Sequence, residues 1–410
     1  MSYLAELDTL SEADRWPRIR QWMQSEPLAL YAELREHRPV LMLPELALVT
    51  RHSDCVDILA RHDLFSVAPY APKQGEYWMA QDDTARHWRE KSIMRAILDH
   101  ELIPEMRSWV EEETTRRLDA AGGSIEAVAE ITRGVPIAFV QHWFGLTGAS
   151  AEELFEWSYW NQMDAFWNQP FDDPGFATPD DIVRKRDAAN DAMRTYLVGL
   201  VTQRAAALKG GAPAEDMVSR LLVLSGCGAL RFDVPLAVLN AGGLLIGAVE
   251  TTSHAVVNAL VVLTSCAERK AEAVAAASAA DPAALDGHVY EALRFKPAFP
   301  YFFRTAEADT ILAPGTKDAT PVPKGKMVLA VTHSAMFDPA AVAEPERFEP
   351  GRGLRGTFTF GYGLHECLGR AIGAAIIPAI ARRALMLDNL QTGPVDYRNG
   401  PVPEAWSWRW

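Results

Sequence analysis

The residues best suited to chemistry lie in the stretch 360–369, Phe-Gly-Tyr-Gly-Leu-His-Glu-Cys-Leu-Gly, which places one cysteine between a glycine-rich turn and an apolar helix. Gly361 and Gly363 allow backbone conformations that a Cβ atom would block. The amides at the start of the following helix would favour the thiolate form of Cys367, which is the form that binds metals. A single soft ligand on a turn, with no second cysteine nearby, suits an axial ligand to haem iron better than a zinc site.

This stretch reads Phe-Gly-x-Gly-x-His-x-Cys-x-Gly and resembles the haem-ligand loop of the cytochrome P450 family. The alternative is a buried free cysteine beside a glycine turn, which is what most lone cysteines are. The resemblance implies haem b (iron protoporphyrin IX) as the cofactor, with Cys367 as its proximal thiolate. It also implies haem contacts from Phe360, Gly361, His365 and Gly369.

A second motif, Gly-Ala-Val-Glu-Thr-Thr (247–252), lies inside the apolar stretch 234–262. A carboxylate and a hydroxyl in so apolar a helix lose hydration, so they need partners or a task. The motif is similar to the distal helix of the same family, where small residues leave room for dioxygen. The resemblance implies Glu250 and Thr251 as the catalytic proton relay and Ala248 as a neighbour of the haem. The alternative is a polar helix face with a solvated glutamate.

Glu291 and Arg294 form a third match, because residues three apart share a helix face and can form an ion pair. Alone, Glu-x-x-Arg is a weak signal. Here it precedes Pro-Glu-Arg-Phe (345–348) and the cysteine loop, in the order that the family shows. The resemblance implies a structural network of Glu291, Arg294 and Arg347.

Basic residues in two further segments match positions that bind the haem propionates in the family. His87 and Lys91 are four residues apart on a predicted helix, so both can reach one anionic group. Arg304 follows the aromatic run 299–303. A solvated basic face is the alternative for His87 and Lys91, because the family's two prolines are absent there and lysine replaces an arginine.

The region 151–208 contains an aromatic helix, a loop rich in proline, aspartate and glycine, and a long charged helix. This order resembles the family's substrate-access lid. We expect an apolar, aromatic pocket that suits a small hydrophobic substrate. Its predicted lining residues are Trp160 and Phe166 from the lid, Leu244 and Gly247 from the distal helix, and Phe299, Tyr301 and Phe302. Several of these aromatic residues could equally be ordinary core.

For the elements that must position these residues, the resemblance implies a mainly α fold with minor β-sheets and the haem between a distal and a proximal helix. Because no linker, low-complexity tract or internal repeat marks a boundary, we expect one domain over residues 1–410. The early chain predicts a helix at 26–37, strands at 39–42 and 46–50, and a helix capped by Ser53. Pro378 predicts a kink or bulge in the helix after the cysteine.

Composition argues against several other classes of protein. The 410-residue chain has a formal net charge of −14, which argues against nucleic acid as a partner. Its four cysteines are too scattered for a disulfide framework or a zinc cluster. No signal-peptide pattern opens the chain, and we expect no stretch long and apolar enough to span a bilayer. The chain is therefore expected to be cytoplasmic, with no membrane partner.

The resemblance implies a monooxygenase that inserts one oxygen atom from dioxygen into its substrate, with electrons from ferredoxin and ferredoxin reductase. Basic residues near the cysteine loop would attract an acidic ferredoxin: Arg352, Arg355 and Arg370, with Arg89 and Arg95 on a neighbouring helix. A peroxide-driven peroxygenase is one alternative, although such enzymes typically replace the acid–threonine pair. A thiolate-haem sensor or electron carrier is another, although it needs neither a lid nor a proton relay.

Overall fold

The computed structural model describes residues 2–228 and 231–410. In this part of the chain the helices are α1 Tyr3–Leu7, α2 Glu12–Ser25, α3 Pro27–His37, α4 His52–Ala60, α5 Ala71–Gln74, α6 Ala85–Ile97, α7 Ile103–Ala121, α8 Gly134–His142, α9 Ala151–Trp167, α10 Pro179–Lys209, α11 Met217–Gly226, α12 Val234–Ala248, α13 Glu250–Leu263, α14 Ala267–Ala277, α15 Asp286–Phe295, α16 Thr332–Ala335 and α17 Arg370–Leu385. The strands are β1 Val40–Met42, β2 Leu46–Val49, β3 Phe65–Ser66, β4 Ser124–Glu126, β5 Phe302–Ala306, β6 Thr310–Leu312, β7 Thr320–Val322, β8 Met327–Ala330, β9 Gln391–Thr392 and β10 Ser407–Arg409. The predicted fold class, mainly α with minor β-sheets, is confirmed.

The chain divides into two compact units, the first of which comprises Met1–His87 and Leu293–Cys367. Its five-stranded sheet has the order β1-β2-β8-β5-β3, in which β2 and β8 are parallel and the other pairs antiparallel. Strand β5 lies between β8 and β3, with Arg304 opposite Val328. An apolar core that includes Phe337 stabilises this unit. The candidate propionate ligand Arg304 therefore lies on an internal strand.

The second unit comprises Trp88–Ala292 and Leu368–Trp410. Helix α10 packs on α9 and α12, and α17 packs on α7 and α13. The antiparallel sheet β4-β10-β9 holds the C-terminal residues, and Trp408 in its central strand is completely buried. This unit therefore holds both helices of the predicted lid, α9 and α10, and the helices that carry the predicted distal motif.

Most helices and strands lie close to where the sequence places them. Helix α3 and strands β1 and β2 occur as predicted, and the lid loop separates Trp167 from Pro179. The prediction that Ser53 caps α4 is wrong, because Arg51 occupies the cap position and makes no side-chain cap hydrogen bond. Helix α17 continues through Pro378 without interruption.

Within the described residues, the run Val234–Leu263 (α12 and α13) is long and apolar enough to cross a membrane by length and composition alone. The expectation that no stretch reaches this length is therefore wrong. In this structure 44% of the most apolar window of the run is buried in the protein, and a core helix can pass the same test. The run is also the one that carries the distal motif at Glu250 and Thr251.

Candidate functional site

Backbone hydrogen bonds hold the cysteine loop in a closed turn. The Cys367 N–H donates to the Phe360 carbonyl at 2.8 Å, and the Glu366 N–H donates to the Gly363 carbonyl at 3.1 Å. Gly361 and Gly363 adopt φ angles of 76° and 66°, and a Cβ atom on either would lie 3.1 Å from a backbone oxygen. Both glycines are therefore required by the turn, which presents Cys367 as an exposed residue three positions before α17 begins.

The other three cysteines lie in different surroundings. Cys55 is buried and its Sγ donates to the Val49 carbonyl at 3.4 Å. Burial raises the pKa of the Cys55 thiol well above its usual value, so this side chain stays protonated. Cys227 and Cys266 are exposed, at the ends of α11 and α14. Glycines flank Cys227, but among the described residues the closed turn built on two glycines with positive φ surrounds Cys367. Cys367 is therefore the best candidate ligand among the four.

Two imidazoles and a carboxylate meet in the first unit. The Nε2 atom of His365 lies 3.3 Å from Oδ1 of Asp82, and the rings of His365 and His87 are perpendicular, with centroids 5.2 Å apart. The carbonyls of Trp78 and Gln81 lie 3.1 and 3.0 Å from Nδ1 of His87. Two acceptors at one nitrogen require that Nδ1 carries a proton, which fixes the orientation of the ring.

Burial distinguishes the two explanations offered for the basic pair on α6. His87 is fully buried and Lys91 is 5% exposed. A solvated basic face would leave both side chains in water. That alternative is therefore wrong for these two residues, whereas a role in binding an anion agrees with their burial.

Arg304 lacks a carboxylate partner in the described part of the chain, although it is only 5% exposed. Its Nη1 donates to the Phe303 carbonyl at 2.8 Å. Burial lowers the pKa of Arg304, while Tyr70 and Asp82 act in the opposite direction. A buried guanidinium needs a compensating negative charge, and a planar carboxylate is the group that it binds best. The residues present therefore fit a haem propionate.

The distal motif lies at an interruption of its helix. Helix α12 ends at Ala248 and α13 begins at Glu250, with Val249 between them at φ −88° and ψ −72°. The Thr251 hydroxyl donates to the Gly247 carbonyl at 2.6 Å. Among the described residues, no atom beyond the adjacent residues and backbone of its own helix lies within 4 Å of the position where a Cβ on Gly247 would stand. The backbone is therefore locally open beside the threonine, as a site for a small ligand requires.

Glu250 is held by a residue that sequence reasoning missed. Its carboxylate is 3% exposed and accepts hydrogen bonds from Nε and Nη2 of Arg133, at 2.7 and 2.9 Å. Burial raises the pKa of Glu250 above its usual value, and Arg133 opposes that shift. The alternative of a solvated glutamate is therefore wrong. The sequence signal that could have identified Arg133 was its position as a lone arginine next to the apolar segment Gly134–His142.

The Arg133 backbone is shaped by a π-helical turn. The Arg133 N–H donates to the Val128 carbonyl, five residues earlier, at 2.9 Å. Such turns are rare and are frequent at functional sites. Gly134 follows directly, and a Cβ there would lie 2.7 Å from the Ala129 carbonyl oxygen. The turn and the glycine together fix where the arginine side chain leaves the backbone.

The predicted pocket residues fall into both units. Leu244 on α12 is buried, and Gly247 is exposed near the end of the same helix. Phe299, Tyr301 and Phe302 lie in and just before β5, in the first unit, and all three are half-buried, as is Phe166 on α9. A cleft of about 520 Å³ in the second unit is lined by other residues, including Trp157 and Tyr196.

Trp160 lies in an aromatic cluster of the lid. Its ring stacks on Phe176 with centroids 6.4 Å apart, and the Lys185 Nζ lies 4.0 Å from its centre. Its Nε1 donates to Glu156 at 2.7 Å. These contacts favour a packing role for Trp160 over a place in the pocket.

Arg294 is the centre of the structural network around α15, where Glu291 is fully buried and Arg294 is 1% exposed. The guanidinium of Arg294 lies 4.3 Å from the ring centre of Phe337. It donates to three backbone carbonyls, those of Met336 at 3.0 Å, Pro345 at 2.8 Å and Arg347 at 3.3 Å. The network therefore joins the helix to the segment that precedes the cysteine loop.

The predicted role of Arg347 needs a correction. Its side chain is 63% exposed and pairs with Glu344 and Glu349, at 3.3 and 3.4 Å. Only its carbonyl reaches Arg294. The physical reason is local, because the two glutamates nearby in sequence pair with the guanidinium of Arg347 and hold it at the surface.

Comparisons with known proteins give matches to one family. The model of the cytochrome P450 family matches residues 138–385. Erythromycin C-12 hydroxylase of Saccharopolyspora erythraea is 28% identical over 329 residues, which cover 78% of this chain and 76% of that enzyme. Cyclomarin C epoxidase CymV of Salinispora arenicola is 26% identical over 388 residues, which cover 90% and 91%.

Solved structures share the fold. Ligand-free cytochrome P450 TbtJ1 matches with a TM-score of 0.78 at 21% identity, over 94% of this chain and 97% of that chain. A mutant of P450 EryK in complex with erythromycin B matches with a TM-score of 0.77 at 23% identity, over 94% and 96%.

Proposed function

The chain belongs to the cytochrome P450 family and is a monooxygenase, and from that premise we propose which of its residues carry the chemistry. Cys367 is the thiolate ligand of haem b. The observation that supports this assignment is the closed glycine turn, which presents Cys367 as an exposed residue just before α17. The boundaries between the two compact units at His87 and Ala292 fall inside helices α6 and α15, which supports a single functional domain.

The propionates are bound by His87, Lys91, Arg304 and His365. Arg304 supports this assignment most strongly, because it is a buried cation without a carboxylate partner in the described residues. Bound haem supplies the activation of dioxygen, which thiolate ligation favours. The protein supplies orientation, protons and exclusion of water.

Glu250 and Thr251 deliver protons during turnover. The Thr251 hydroxyl stands at the helix interruption and donates to the Gly247 carbonyl, so a rotation about its side chain releases a proton donor. Glu250 returns the proton. Burial raises the pKa of Glu250 above its usual value, a direction that suits a general acid. Arg133 holds the carboxylate in place during this exchange.

The substrate is small and hydrophobic, and the electrons come from a ferredoxin and its reductase in the cytoplasm. The open space at Gly247 and the aromatic residues 299–302 support the substrate class. Arg355 and Arg370 are exposed on either side of Cys367 in the sequence, which supports docking of an acidic partner.

Turnover under ¹⁸O-labelled dioxygen tests this function. Small aromatic compounds and terpenes that shift the haem spectrum are supplied with a surrogate ferredoxin, ferredoxin reductase and a nicotinamide reductant. We expect one labelled oxygen atom in the product. Product formed only with added peroxide would identify a peroxygenase. Electron transfer without any oxygenated product from a spectrally active compound would identify a carrier.

A further inference from the structure

The C-terminal turn, residues 396–405, is closed by backbone hydrogen bonds between its two ends. The Asp396 N–H donates to the Ala405 carbonyl at 2.8 Å, and the N–H groups of Ala405 and Glu404 donate back to the Asp396 carbonyl at 3.1 and 2.8 Å. Strand β10 follows directly and pairs with β4, which leads to the π-helical turn before Arg133. The fold therefore brings Glu404 and Arg133 together although they are far apart in sequence.

This turn packs closely on the lid. Val402 belongs to a buried apolar cluster with Tyr159 and Ile182 of the lid helices. A Cβ on Gly175, in the lid loop, would lie 2.5 Å from the carbonyl oxygen of Asn399. Contacts this close leave no room for the lid to shift without moving against the turn.

Glu404 connects the lid to the distal carboxylate through two hydrogen-bonded partners. The Tyr159 hydroxyl donates to one oxygen of Glu404 at 2.7 Å. The other oxygen lies 3.4 Å from Nη2 of Arg133, the same nitrogen that donates to Glu250 at 2.9 Å. Phe155 of α9 covers the guanidinium at 4.4 Å from its ring centre. Two carboxylates thus share one buried cation.

We propose that Glu404 is a positioning residue that couples Glu250 to lid helix α9, through Arg133 on one side and Tyr159 on the other. The inference rests on the proposed role of Glu250 in proton delivery. While Tyr159 donates to Glu404, part of the charge on the Glu404 carboxylate is compensated. Arg133 then keeps its hydrogen bonds to Glu250. A lid movement that breaks the Tyr159 bond turns Arg133 toward Glu404 and frees Glu250.

The charged and titratable groups around Glu250 predict that two variants shift the pKa of Glu250 in opposite directions. These groups are Arg133, Glu404 and Tyr159. Glu404→Gln removes a negative charge that raises the pKa of Glu250, so that pKa falls. Tyr159→Phe leaves Glu404 uncompensated, so Glu404 competes harder for Arg133 and the pKa of Glu250 rises. A merely structural role would move both variants in the same direction.

Infrared titration of the full-length haem-loaded protein measures this directly. The carboxyl band of Glu250 is identified by its loss in Glu250→Gln and followed against pH in each variant. Glu152→Gln removes an exposed carboxylate from the same helix α9, and Tyr196→Phe removes a phenol that donates to the Thr147 carbonyl. Neither control side chain contacts Glu250, Arg133, Glu404 or Tyr159, and we expect no shift in the pKa of Glu250 in either variant.

The double variant decides whether Tyr159 acts through Glu404. In the Glu404→Gln background, Tyr159→Phe is expected to add no further shift. The proposal would be overturned if Tyr159→Phe shifted the pKa of Glu250 further in that background. It would also be overturned if the two single variants shifted this pKa in the same direction, or if neither shifted it. If Glu404→Gln fails to fold, Glu404→Asp serves instead, because it keeps the charge but places it farther from Arg133. The pKa obtained from the Glu250 band is again expected to fall. The titration needs no turnover, so its outcome is independent of whether Cys367 is the haem ligand.

Discussion

Replacing Arg133 by methionine is expected to destabilise the protein in a way that depends on pH. The side chains of Arg133 and Glu250 are 8% and 3% exposed and are joined by two hydrogen bonds of 2.7 and 2.9 Å. Removing one partner of such a buried pair leaves the other charge uncompensated, which typically costs about 3–5 kcal/mol. A surface ion pair would contribute only about 0–1 kcal/mol.

The pH dependence follows from protonation of Glu250. Burial already raises the pKa of this carboxyl above its usual 4.5, and loss of Arg133 raises it further. Between the usual and the raised pKa, the folded variant binds more protons than the unfolded chain. Its stability therefore falls as pH rises through that window, by up to about 1.4 kcal/mol per pH unit. Protonated Glu250 carries little penalty, so the loss of stability is smaller at the acidic end of the range than at pH 8.

Urea denaturation of haem-loaded protein at pH 5, 6, 7 and 8 measures this effect, with the midpoints of wild type and Arg133→Met compared at each pH. Arg116→Gln is the matched control, because its arginine is 65% exposed and pairs with Glu113 on the surface of α7. The control is expected to lose under about 1 kcal/mol at every pH. A loss in Arg133→Met that is equally small, or equal at all four pH values, would refute the reasoning.

Three other predictions concern the threonine, the cysteine loop and the redox partner. Thr251→Ala is expected to keep haem content and substrate affinity while diverting electrons to peroxide, and fully coupled turnover in this variant would show that Thr251 delivers no proton. Gly363→Ala is expected to lower haem occupancy and to destabilise by about 1–2 kcal/mol, because its φ of 66° is left-handed. Gly199→Ala in α10 is the control, because no neighbouring atom is found within 4 Å of a Cβ there among the described residues, and it should instead stabilise by about 0.5–1 kcal/mol. Equal effects of Gly363→Ala and Gly199→Ala on stability would contradict the strain argument. Electron transfer from an acidic ferredoxin is expected to slow as salt rises and to slow further in Arg355→Glu, and a rate unaffected by salt would exclude this docking surface.

Short-range features were the predictable part of the structure. Gly361 is required by backbone geometry within four residues, because a Cβ there would lie 3.1 Å from the His365 carbonyl oxygen. The lid loop between Trp167 and Pro179 was marked by its proline and glycine content. In both cases the neighbouring residues alone determine the backbone.

Side-chain partners brought together by the tertiary fold were not predictable. Arg133 and Glu250 are 117 positions apart, and Tyr159 and Glu404 are 245 apart, so no periodicity in the sequence connects them. Arg347 was assigned to the network of Glu291 and Arg294 by family order, and its carbonyl, not its side chain, contacts Arg294. The outward orientation of its side chain depends on two local glutamates.

The absorbance of the reduced, carbon monoxide-bound protein tests the central claim that Cys367 is the haem ligand. The wild type is expected to show the red-shifted band of thiolate ligation, Cys367→His to lose it, and Cys266→Ser, which changes another exposed cysteine, to keep it. A red-shifted band that persists in Cys367→His, or that disappears in Cys266→Ser, would contradict the account.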